Sequence, residues 1–367
     1  MAYTEGMVKS SDIETIIKKK ELNYLILLGQ RSNGKSYAVK ERAVKRAYEH
    51  GEQFIYLRRY DEDIKDYNTE LYFDDLDVKG ITGNKYDCVS VYRKRLYFAR
   101  WENVPDKDPV LQRGDCIGFV QSLNKSERSK SLSFGKVSTI IYEEFITDGT
   151  YLSNEVDRLM NFVSTVLRDR LGVVCLVGNT ISRVCPYFSE WQLTHIQKQK
   201  KGSVDIYEHE GSAGPVKIGV YLTDALQKTS GMFFGRSAKM INKGEWQTGS
   251  FPHLNCSIDD LSIIYTVVYK YELQCFLLRL CAGYNNALGV VWYVEPKTTD
   301  IKEGTRTIAN REIPGTIHTK DFIGLNSQEQ QAFKILNDGF VVFSDNLTAT
   351  EFYQCRQNDR PRGALKK

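Results

Sequence analysis

Eight consecutive residues near the amino terminus have the types and spacing needed to bind phosphate groups. Residues 29–36 match the pattern Gly-x-x-x-x-Gly-Lys-Ser/Thr at every fixed position. Glycines let backbone N–H groups turn inward around phosphate oxygens, and the positive end of a following helix adds to the attraction. The lysine would reach the β and γ phosphates of a nucleoside triphosphate, and the serine hydroxyl would ligate Mg²⁺. This phosphate loop consists of Gly29, Gln30, Arg31, Ser32, Asn33, Gly34, Lys35 and Ser36.

Two adjacent acids follow a mostly apolar stretch at 137–142. A buried strand that ends in two acids is typical of ATPases with a phosphate loop, in which one acid holds Mg²⁺ and the next polarises the attacking water. We assign Glu143 to the metal and Glu144 to the water. The usual first acid is Asp, so Glu143 is a departure, and its longer side chain would reach the metal through a water. The alternative is an ordinary pair of surface acids at a strand end.

A second apolar stretch, 173–178, ends in small polar residues. In motor ATPases a polar side chain at this strand end contacts the γ phosphate or the attacking water, which makes Asn179 and Thr180 the candidates. The alternative is a common Gly-Asn turn.

Several cations are candidates for an arginine finger that reaches the nucleotide of a neighbouring subunit. Arg168 and Arg170 end the helical pattern before the strand that carries Asn179, so we expect them near the nucleotide edge of the domain. They would also suit a helix carboxyl terminus without any catalytic role. Arg128 and Lys130, in the loop before the two acids, compete for the same role, and Arg31 is a possible contact in cis.

The remaining pattern predicts the elements that position these residues. Capping and apolar spacing indicate helices at 11–21, 37–50 and 151–168. Near-continuous apolar runs at 22–28 and 54–57 indicate strands buried on both faces, as in a parallel sheet. Further short strands are predicted at 87–92, 96–99, 116–121, 137–142 and 173–178.

Three segments follow from this pattern. Residues 1–205 form an α/β domain, and residues 206–245, rich in Gly, Ser and Lys, form a linker or small bridging subdomain. Residues 246–367 form a β-rich domain with strands at 261–269, 273–280 and 288–294, a helix at 327–337 and a strand at 339–343.

Composition limits the function classes. The formal net charge is only +4, but residues 356–367 carry five basic groups and one acid, a possible nucleic-acid contact. The eight cysteines are scattered with no zinc-ligand spacing, so buried thiols are expected. No apolar run reaches the ~20 residues of a membrane span, and no signal core is evident, so we expect a soluble, intracellular protein without membrane association.

The chain resembles the tailed-phage DNA-packaging ATPases (terminase large subunits), in particular the short encapsidation proteins of small, protein-primed phages. The residues that carry the resemblance are GQRSNGKS (29–36), FIYLRRY (54–60), the stretch at 117–145, LVGNTIS (176–182) and PYF (186–188). The resemblance implies an ASCE-type P-loop NTPase domain followed by an RNase H-like domain. It also implies ATP and Mg²⁺ as cofactors and duplex DNA as the substrate that is moved. The protein would form a homo-oligomeric ring, with five subunits expected, on the portal of an empty procapsid, together with a terminal protein or a packaging RNA.

Related enzymes that cut DNA carry an Asp on the first strand of the second domain, but residues 261–269 contain no acid. We therefore expect a vestigial nuclease fold without activity. Three alternatives stay open: a helicase-like motor, a P-loop kinase of a small metabolite, and an ATPase with an active nuclease. The acid pair at 143–144 argues against the kinase, because a kinase needs no group to activate water.

Overall fold

The computed structural model describes residues 7–359 except 130–132, 169, 197, 213, 225–247, 311–314 and 319–325. The chain divides into two compact units. The first comprises Met1–Thr147, Tyr151–Ile181 and His195–Glu245, and the second comprises Asp148–Thr150, Ser182–Thr194 and Trp246–Lys367.

The first unit contains a nine-stranded sheet flanked by helices. Its strands are β1 (Tyr24–Gly29), β2 (Gln53–Arg58), β3 (Cys88–Tyr92), β4 (Arg95–Glu102), β5 (Val110–Ser122), β6 (Val137–Glu143), β7 (Val173–Asn179), β8 (Ser203–Gly211) and β9 (Gly214–Leu222). Its helices are α1 (Ser10–Lys20), α2 (Lys35–His50), α3 (Asp66–Phe73), α4 (Val78–Thr82) and α5 (Glu155–Leu167), with 3-10 turns at Asp61–Ile64 and Leu123–Ser129.

The centre of this sheet is parallel. The strand order is β3-β4-β5-β2-β6-β7-β1-β9-β8, and the six strands from β5 to β9 run in one direction. Every residue of β1 is buried, as its near-continuous apolar sequence predicts. Strand β7 lies between β1 and β6, so the strand before the phosphate loop and the strand before the acids are separated by one strand, which is the order that the ASCE-type prediction requires.

The predicted linker at 206–245 is wrong over its first part. Strands β8 and β9 form an antiparallel hairpin, and β9 pairs in parallel with β1, so residues up to 222 belong to the first sheet. The strand β8 lies at the sheet edge and alternates half-buried and exposed residues, which gives it the polar composition that indicated a linker. Residues 225–245 of the predicted linker lie outside the described residues.

Within its described residues, the second unit contains a six-stranded sheet and three helices. Its strands are β10 (Ser262–Tyr271), β11 (Gln274–Ala282), β12 (Val290–Pro296), β13 (Thr307–Ala309), β14 (Ile317–His318) and β15 (Val341–Phe343), in the order β14-β13-β10-β11-β12-β15. Its helices are α6 (Pro186–Glu190), α7 (Ser327–Asn337) and α8 (Asn346–Asp359), with a 3-10 turn at Ile258–Asp260. Segment 182–194, predicted to lie in the first domain, belongs to this unit. Its core packs around the buried side chains of Phe276, Trp292, Phe343 and Phe352.

Among the described residues, no helix has the length and apolarity that a membrane span requires. All eight cysteines are free. Cys175 and Cys281 are buried as predicted, whereas Cys275 is half-buried and Cys256 is exposed.

Candidate functional site

The phosphate loop joins β1 to α2 and depends on its two glycines. Gly29 has a φ of 152°, and a Cβ at this position would overlap the hydroxyl of Thr223. Gly34 has a φ of 87°, precedes the first residue of α2, and would place a Cβ 3.1 Å from the carbonyl oxygen of Val8. Both positions therefore require glycine, and the turn directs the amino-terminal end of α2 toward the site.

The side chain of Lys35 is almost fully buried within this loop. Its ammonium group donates to four oxygens: the Gln30 carbonyl at 2.6 Å, the Asn33 side chain at 3.0 Å, and the Gly29 carbonyl and Asn179 side chain at 3.3 Å each. Burial lowers the pKa of Lys35 to about 7, against the opposing charge of nearby Glu143. The surrounding oxygens supply partners that a buried cation needs.

Glu143 ends β6 beside the start of α2. Its carboxylate accepts one hydrogen bond from the Ser36 hydroxyl at 3.2 Å and another from the Tyr72 hydroxyl at 2.7 Å. Burial raises the pKa of the Glu143 carboxyl. The backbone of Tyr72 is in turn held by Lys40, whose ammonium donates to the Tyr72 carbonyl and pairs with Asp75. Helix α3 thus fixes the position of the acid that the sequence assigns to the metal.

Glu144 has a different environment from its neighbour. Its backbone has a φ of 55° and its side chain is 63% exposed. The carboxylate accepts a hydrogen bond from Arg58 at 2.6 Å, and Arg58 lies 3.7 Å from Asp63. The two adjacent acids are therefore held separately, Glu143 beside Ser36 and Glu144 by the arginine at the end of β2.

Arg59, which follows Arg58 in the sequence, holds the turn that carries Glu144. Its guanidinium makes two hydrogen bonds to the buried carboxylate of Glu155, at 2.9 and 3.1 Å. It also donates to the backbone carbonyls of Glu144 at 3.2 Å and Phe145 at 2.6 Å. Glu155 accepts a further bond from the Tyr142 hydroxyl at 2.8 Å. The two adjacent arginines therefore have different roles. Arg58 contacts the Glu144 side chain, whereas Arg59 pairs with Glu155 and holds the backbone at Glu144.

The end of β7 lies beside the phosphate loop. Asn179 pairs with Gly29 in the sheet register, and its side chain reaches Lys35. The backbone N–H of Thr180 donates to the Gly29 carbonyl at 3.3 Å, and its side chain is buried. Of the two sequence candidates, Asn179 is the one whose side chain contacts the phosphate-loop lysine.

The expectation that Arg168 and Arg170 lie near the nucleotide edge is wrong. They follow α5 and precede β7, and in a parallel sheet the chain enters each strand at the edge opposite the phosphate loop. Strand β7 has seven residues, which separates its two ends by about 20 Å. Arg170 donates to a group of backbone carbonyls, those of Phe134, Gly135, Val166 and Leu167. It thus stabilises the end of α5.

Of the other cation candidates, the structure describes the side chains of Arg168 and Arg31. Arg168 is exposed and ends α5 with a φ of 52°. Arg31 is exposed within the phosphate loop. Lys130 lies outside the described residues, and the side chain of Arg128 is likewise not described. A role in trans for Arg168 or Lys130 stays a prediction.

Sequence reasoning missed three residues that support the site: Tyr72, Glu155 and Thr223. Tyr72 is on α3, which the sequence pattern did not predict, and Thr223 follows the missed strand β9. Glu155 lies in the predicted helix at 151–168, but nothing in the pattern indicated that it is buried opposite Arg59. Only the Arg58-Arg59 pair carried a signal, because two adjacent arginines after a buried strand are unusual.

The donor set fits a nucleotide with Mg²⁺. The Ser36 hydroxyl and the Glu143 carboxylate are neighbouring oxygens, the ligand type that Mg²⁺ prefers. The Lys35 ammonium and the amino-terminal end of α2 supply positive charge beside them. The described residues contain no cluster of three or more His, Cys, Asp or Glu side chains that could hold a metal ion.

Comparison with known proteins gives one family by sequence and a matching fold. The family model described as the podovirus DNA encapsidation protein (Gp16) matches residues 11–210, more than half of the chain. The DNA packaging protein of Bacillus phage B103 is 34% identical over 171 residues, 46% of each sequence, so the chain matches about half the length of this curated relative.

Two solved structures share the fold over nearly the whole chain. The bacteriophage phi29 viral genome packaging motor assembly gives a TM-score of 0.52 at 20% identity, covering 94% of this chain and 98% of that one. The phi-28 gp11 DNA packaging motor gives 0.51 at 15% identity, covering 98% and 99%. These likenesses concern the fold, and the family model supplies the assignment. On this basis the resemblance seen in the sequence is confirmed, and the chain belongs to the podovirus DNA encapsidation protein family.

Proposed function

We propose that this protein is an ATP-driven motor that moves double-stranded viral DNA into an empty capsid. The observation that carries the proposal is the meeting of Lys35, Ser36, Glu143 and Asn179 at the carboxyl edge of one parallel sheet. These are the groups that hydrolysis of a nucleoside triphosphate requires, and they come from three separate strand ends. The family assignment and the name of the phage B103 relative, a DNA packaging protein, supply the work to which hydrolysis is coupled.

Each residue of the site has one role in the proposed reaction. Lys35 binds the β and γ phosphates, and Asn179 contacts the γ phosphate or the attacking water. Ser36 and Glu143 hold Mg²⁺, which when bound neutralises charge on the phosphate oxygens. Glu144 orients the attacking water and accepts its proton. The loop residues 29–34 bind phosphate oxygens through their backbone.

The Arg58 contact restrains the proposed base. A carboxylate oxygen that accepts a hydrogen bond from the Arg58 guanidinium is held by that donor and has to leave it before it can accept a hydrogen bond from the attacking water. Glu144 therefore activates water only when its carboxylate leaves Arg58. The 63% exposed side chain has room to make this change. The same exposure makes the restraint weak, on the order of 1 kcal/mol or less.

The proposed partners follow from the work of packaging. The protein would act as a homo-oligomeric ring, with five subunits, on the portal of a procapsid in the host cytoplasm. Duplex DNA would be held through its phosphates without sequence readout. A terminal protein or a packaging RNA would complete the assembly. A cation from the neighbouring subunit, for which Arg168 and Lys130 are candidates, would act at the nucleotide.

For the second unit we propose a vestigial RNase H-like nuclease over 246–367. Its first three strands form an antiparallel meander, and β13 pairs in parallel with the first of them. On the face that includes Thr266 of β10, Arg279 of β11 pairs with Glu295 of β12. A paired arginine in place of converging carboxylates opposes two-metal hydrolysis. We expect no cleavage of duplex DNA by the full chain with Mg²⁺ or Mn²⁺; metal-dependent nicking that Glu295→Gln removes would contradict this.

The central test compares two lysines of α2. Lys35→Ala should abolish ATP hydrolysis, because no other group replaces its charge at the phosphates. Lys45→Ala is the matched control, since Lys45 is partly exposed and, among the described residues, its ion pair is with Glu41 one turn away. Wild-type hydrolysis should rise with duplex DNA more than with single strands, and protection of DNA inside procapsids should require Lys35. Turnover near the wild-type rate in Lys35→Ala would overturn the site, and stimulation by single strands alone would indicate a helicase.

A further inference from the structure

Thr223, the residue after β9, makes a close contact with the phosphate loop. Its backbone N–H and its side-chain hydroxyl both donate to the carbonyl oxygen of Leu28, each at 2.8 Å. Leu28 is the residue before Gly29, and the absence of a Cβ at Gly29 makes room for the Thr223 hydroxyl. The end of β9 and the start of the phosphate loop are therefore in close contact, although Leu28 and Thr223 are 195 residues apart in the sequence.

This contact fixes the direction of one hydrogen bond in the loop. A hydroxyl has one hydrogen to donate, and that of Thr223 is given to Leu28. Toward Asn33 the Thr223 oxygen must therefore accept, so the NH₂ group of the Asn33 amide faces Thr223. The other end of the amide, Oδ1, then faces the Lys35 ammonium at 3.0 Å. Both Asn33 and Thr223 are buried, so water does not supply substitutes.

We propose that Thr223 is a positioning residue for nucleotide binding, acting through Asn33 on the phosphate loop. Its hydroxyl orients the Asn33 amide and holds the loop in a form that presents Lys35 and the backbone N–H groups to phosphate. Thr223 contacts neither the phosphates nor the attacking water in this role. The inference rests on the proposed nucleotide-binding function of the loop and adds to it a residue from a strand that follows the loop by almost 200 positions.

The proposal predicts a change in affinity and little change in rate. Thr223→Val keeps the shape of the side chain and removes the hydroxyl, which leaves the buried Asn33 NH₂ group without its acceptor. An unsatisfied buried donor weakens whatever depends on that arrangement by roughly 5- to 150-fold. We expect the Kd for MgADP and the KM for ATP to rise by such a factor. The kcat should stay within about twofold, because the lost interaction is the same in the ground and transition states.

The experiment uses the full chain and titration calorimetry with MgADP, together with steady-state ATP hydrolysis. Thr223→Ser retains the hydroxyl and should bind MgADP within about threefold of wild type, as expected when one methyl group is lost from a packed site. Thr165→Val, on α5 with its hydroxyl bonded to a helix carbonyl, is the matched control for a threonine-to-valine change away from the loop. In an Asn33→Ala background, Thr223→Val should cause no further loss, because the residue acts through Asn33.

The outcomes separate this inference from the proposed function. Weaker binding in Thr223→Val, recovery in Thr223→Ser and no additional loss in the double variant support it. Wild-type affinity in Thr223→Val, or equal damage in Thr223→Ser, overturns it, as does a fall in kcat without a change in KM. If Thr223→Val does not fold, the MgADP affinities of Thr223→Ser and Asn33→Ala decide. The inference then requires that Thr223→Ser binds MgADP like wild type and that Asn33→Ala binds it more weakly. If Lys35→Ala also binds MgADP normally, the phosphate-loop function fails rather than this inference alone.

Discussion

The arginine at the turn after β2 allows a quantitative test of how the site is held. Arg59 and Glu155 form an ion pair whose side chains are 7% and 0% exposed. Arg59→Gln would remove this cation from the buried Glu155 carboxylate. Removing one partner of such a pair costs about 3–5 kcal/mol, because the remaining charge is uncompensated.

The structure places the expected loss of stability in Arg59→Gln at the lower end of that range. The hydrogen bonds that remain on Glu155 after the change include those from the Tyr142 hydroxyl and the Leu152 N–H, each at 2.8 Å. These donors stabilise the carboxylate in part, so we expect a loss of about 3 kcal/mol. For a unit of this size, each kcal/mol lowers Tm by about 2–4 °C, which gives a fall of about 6–12 °C.

The neighbouring arginine provides the control. Arg58 pairs with a carboxylate that is 63% exposed, so Arg58→Gln should cost about 1 kcal/mol or less and lower Tm by under about 4 °C. Scanning calorimetry of the full chain would follow the transition of the first unit in both variants. A double variant, Arg59→Gln with Glu155→Gln, should be less destabilised than the sum of the single changes. Equal Tm values for Arg58→Gln and Arg59→Gln would refute the argument from burial.

Three further outcomes are expected. Arg58→Gln should raise ATP hydrolysis in the absence of DNA by roughly 1.5- to 5-fold, since it frees Glu144 from a weak restraint; an unchanged steady-state rate would show that the contact does not restrain the base. Glu144→Gln should bind MgADP normally in calorimetry and lose turnover, and a loss of binding instead would move this residue to the metal. Burial raises the pKa of Glu351 from 4.5 to about 7, so below about pH 7 the carboxyl is mostly neutral in the folded second unit. Stability should therefore fall as pH rises from about 4.5 to 7, by up to about 3 kcal/mol. Denaturant unfolding across this range would measure the slope, which should disappear in Glu351→Gln.

The sequence predicted the parallel strands well because their chemistry is local. Continuous apolar runs can be buried on both faces only in the middle of a sheet, and the bounds of β1, β2, β6 and β7 agree with the predicted strands within two residues. The phosphate loop was likewise predictable, since its glycines and lysine are needed at fixed spacing. The two acids after β6 were found for the same reason, as the end of a buried strand is a defined position.

The elements that the sequence did not reveal depend on distant partners. The strand β8 lies at a sheet edge, where half of its residues contact solvent, and a polar, alternating strand of this kind resembles a linker in composition. The neighbouring strand β9 is positioned by its pairing with β1, in which Tyr24 lies opposite Ile218, 194 residues later in the sequence. No local pattern carries that information. Because the hairpin was not predicted, the contact of Thr223 with the phosphate loop was not predicted either.

The position of the arginines after α5 was mistaken for a different reason, which concerns chain direction. A helix that leads into a strand ends at the edge where the strand begins, and phosphate-binding loops follow the opposite end. Arg170 therefore lies with Phe134 and Gly135, which precede β6, and not with Asn179. The same rule explains why the sequence correctly placed Gly29, Glu143 and Asn179 in one site, because each of these residues ends a strand of the parallel sheet.

The hydrogen bonds around the site also determine how nucleotide binding would work energetically. The Lys35 ammonium has three N–H groups and four oxygen partners within the protein, while Glu143 is bonded to Ser36 and Tyr72 and Glu144 to Arg58. Binding of phosphates and metal is then an exchange of partners, and its free energy is the difference between two sets of hydrogen bonds. We therefore expect the residues that hold these partners to act without contacting the nucleotide, Tyr72 and Thr223 on affinity and Arg58 on turnover.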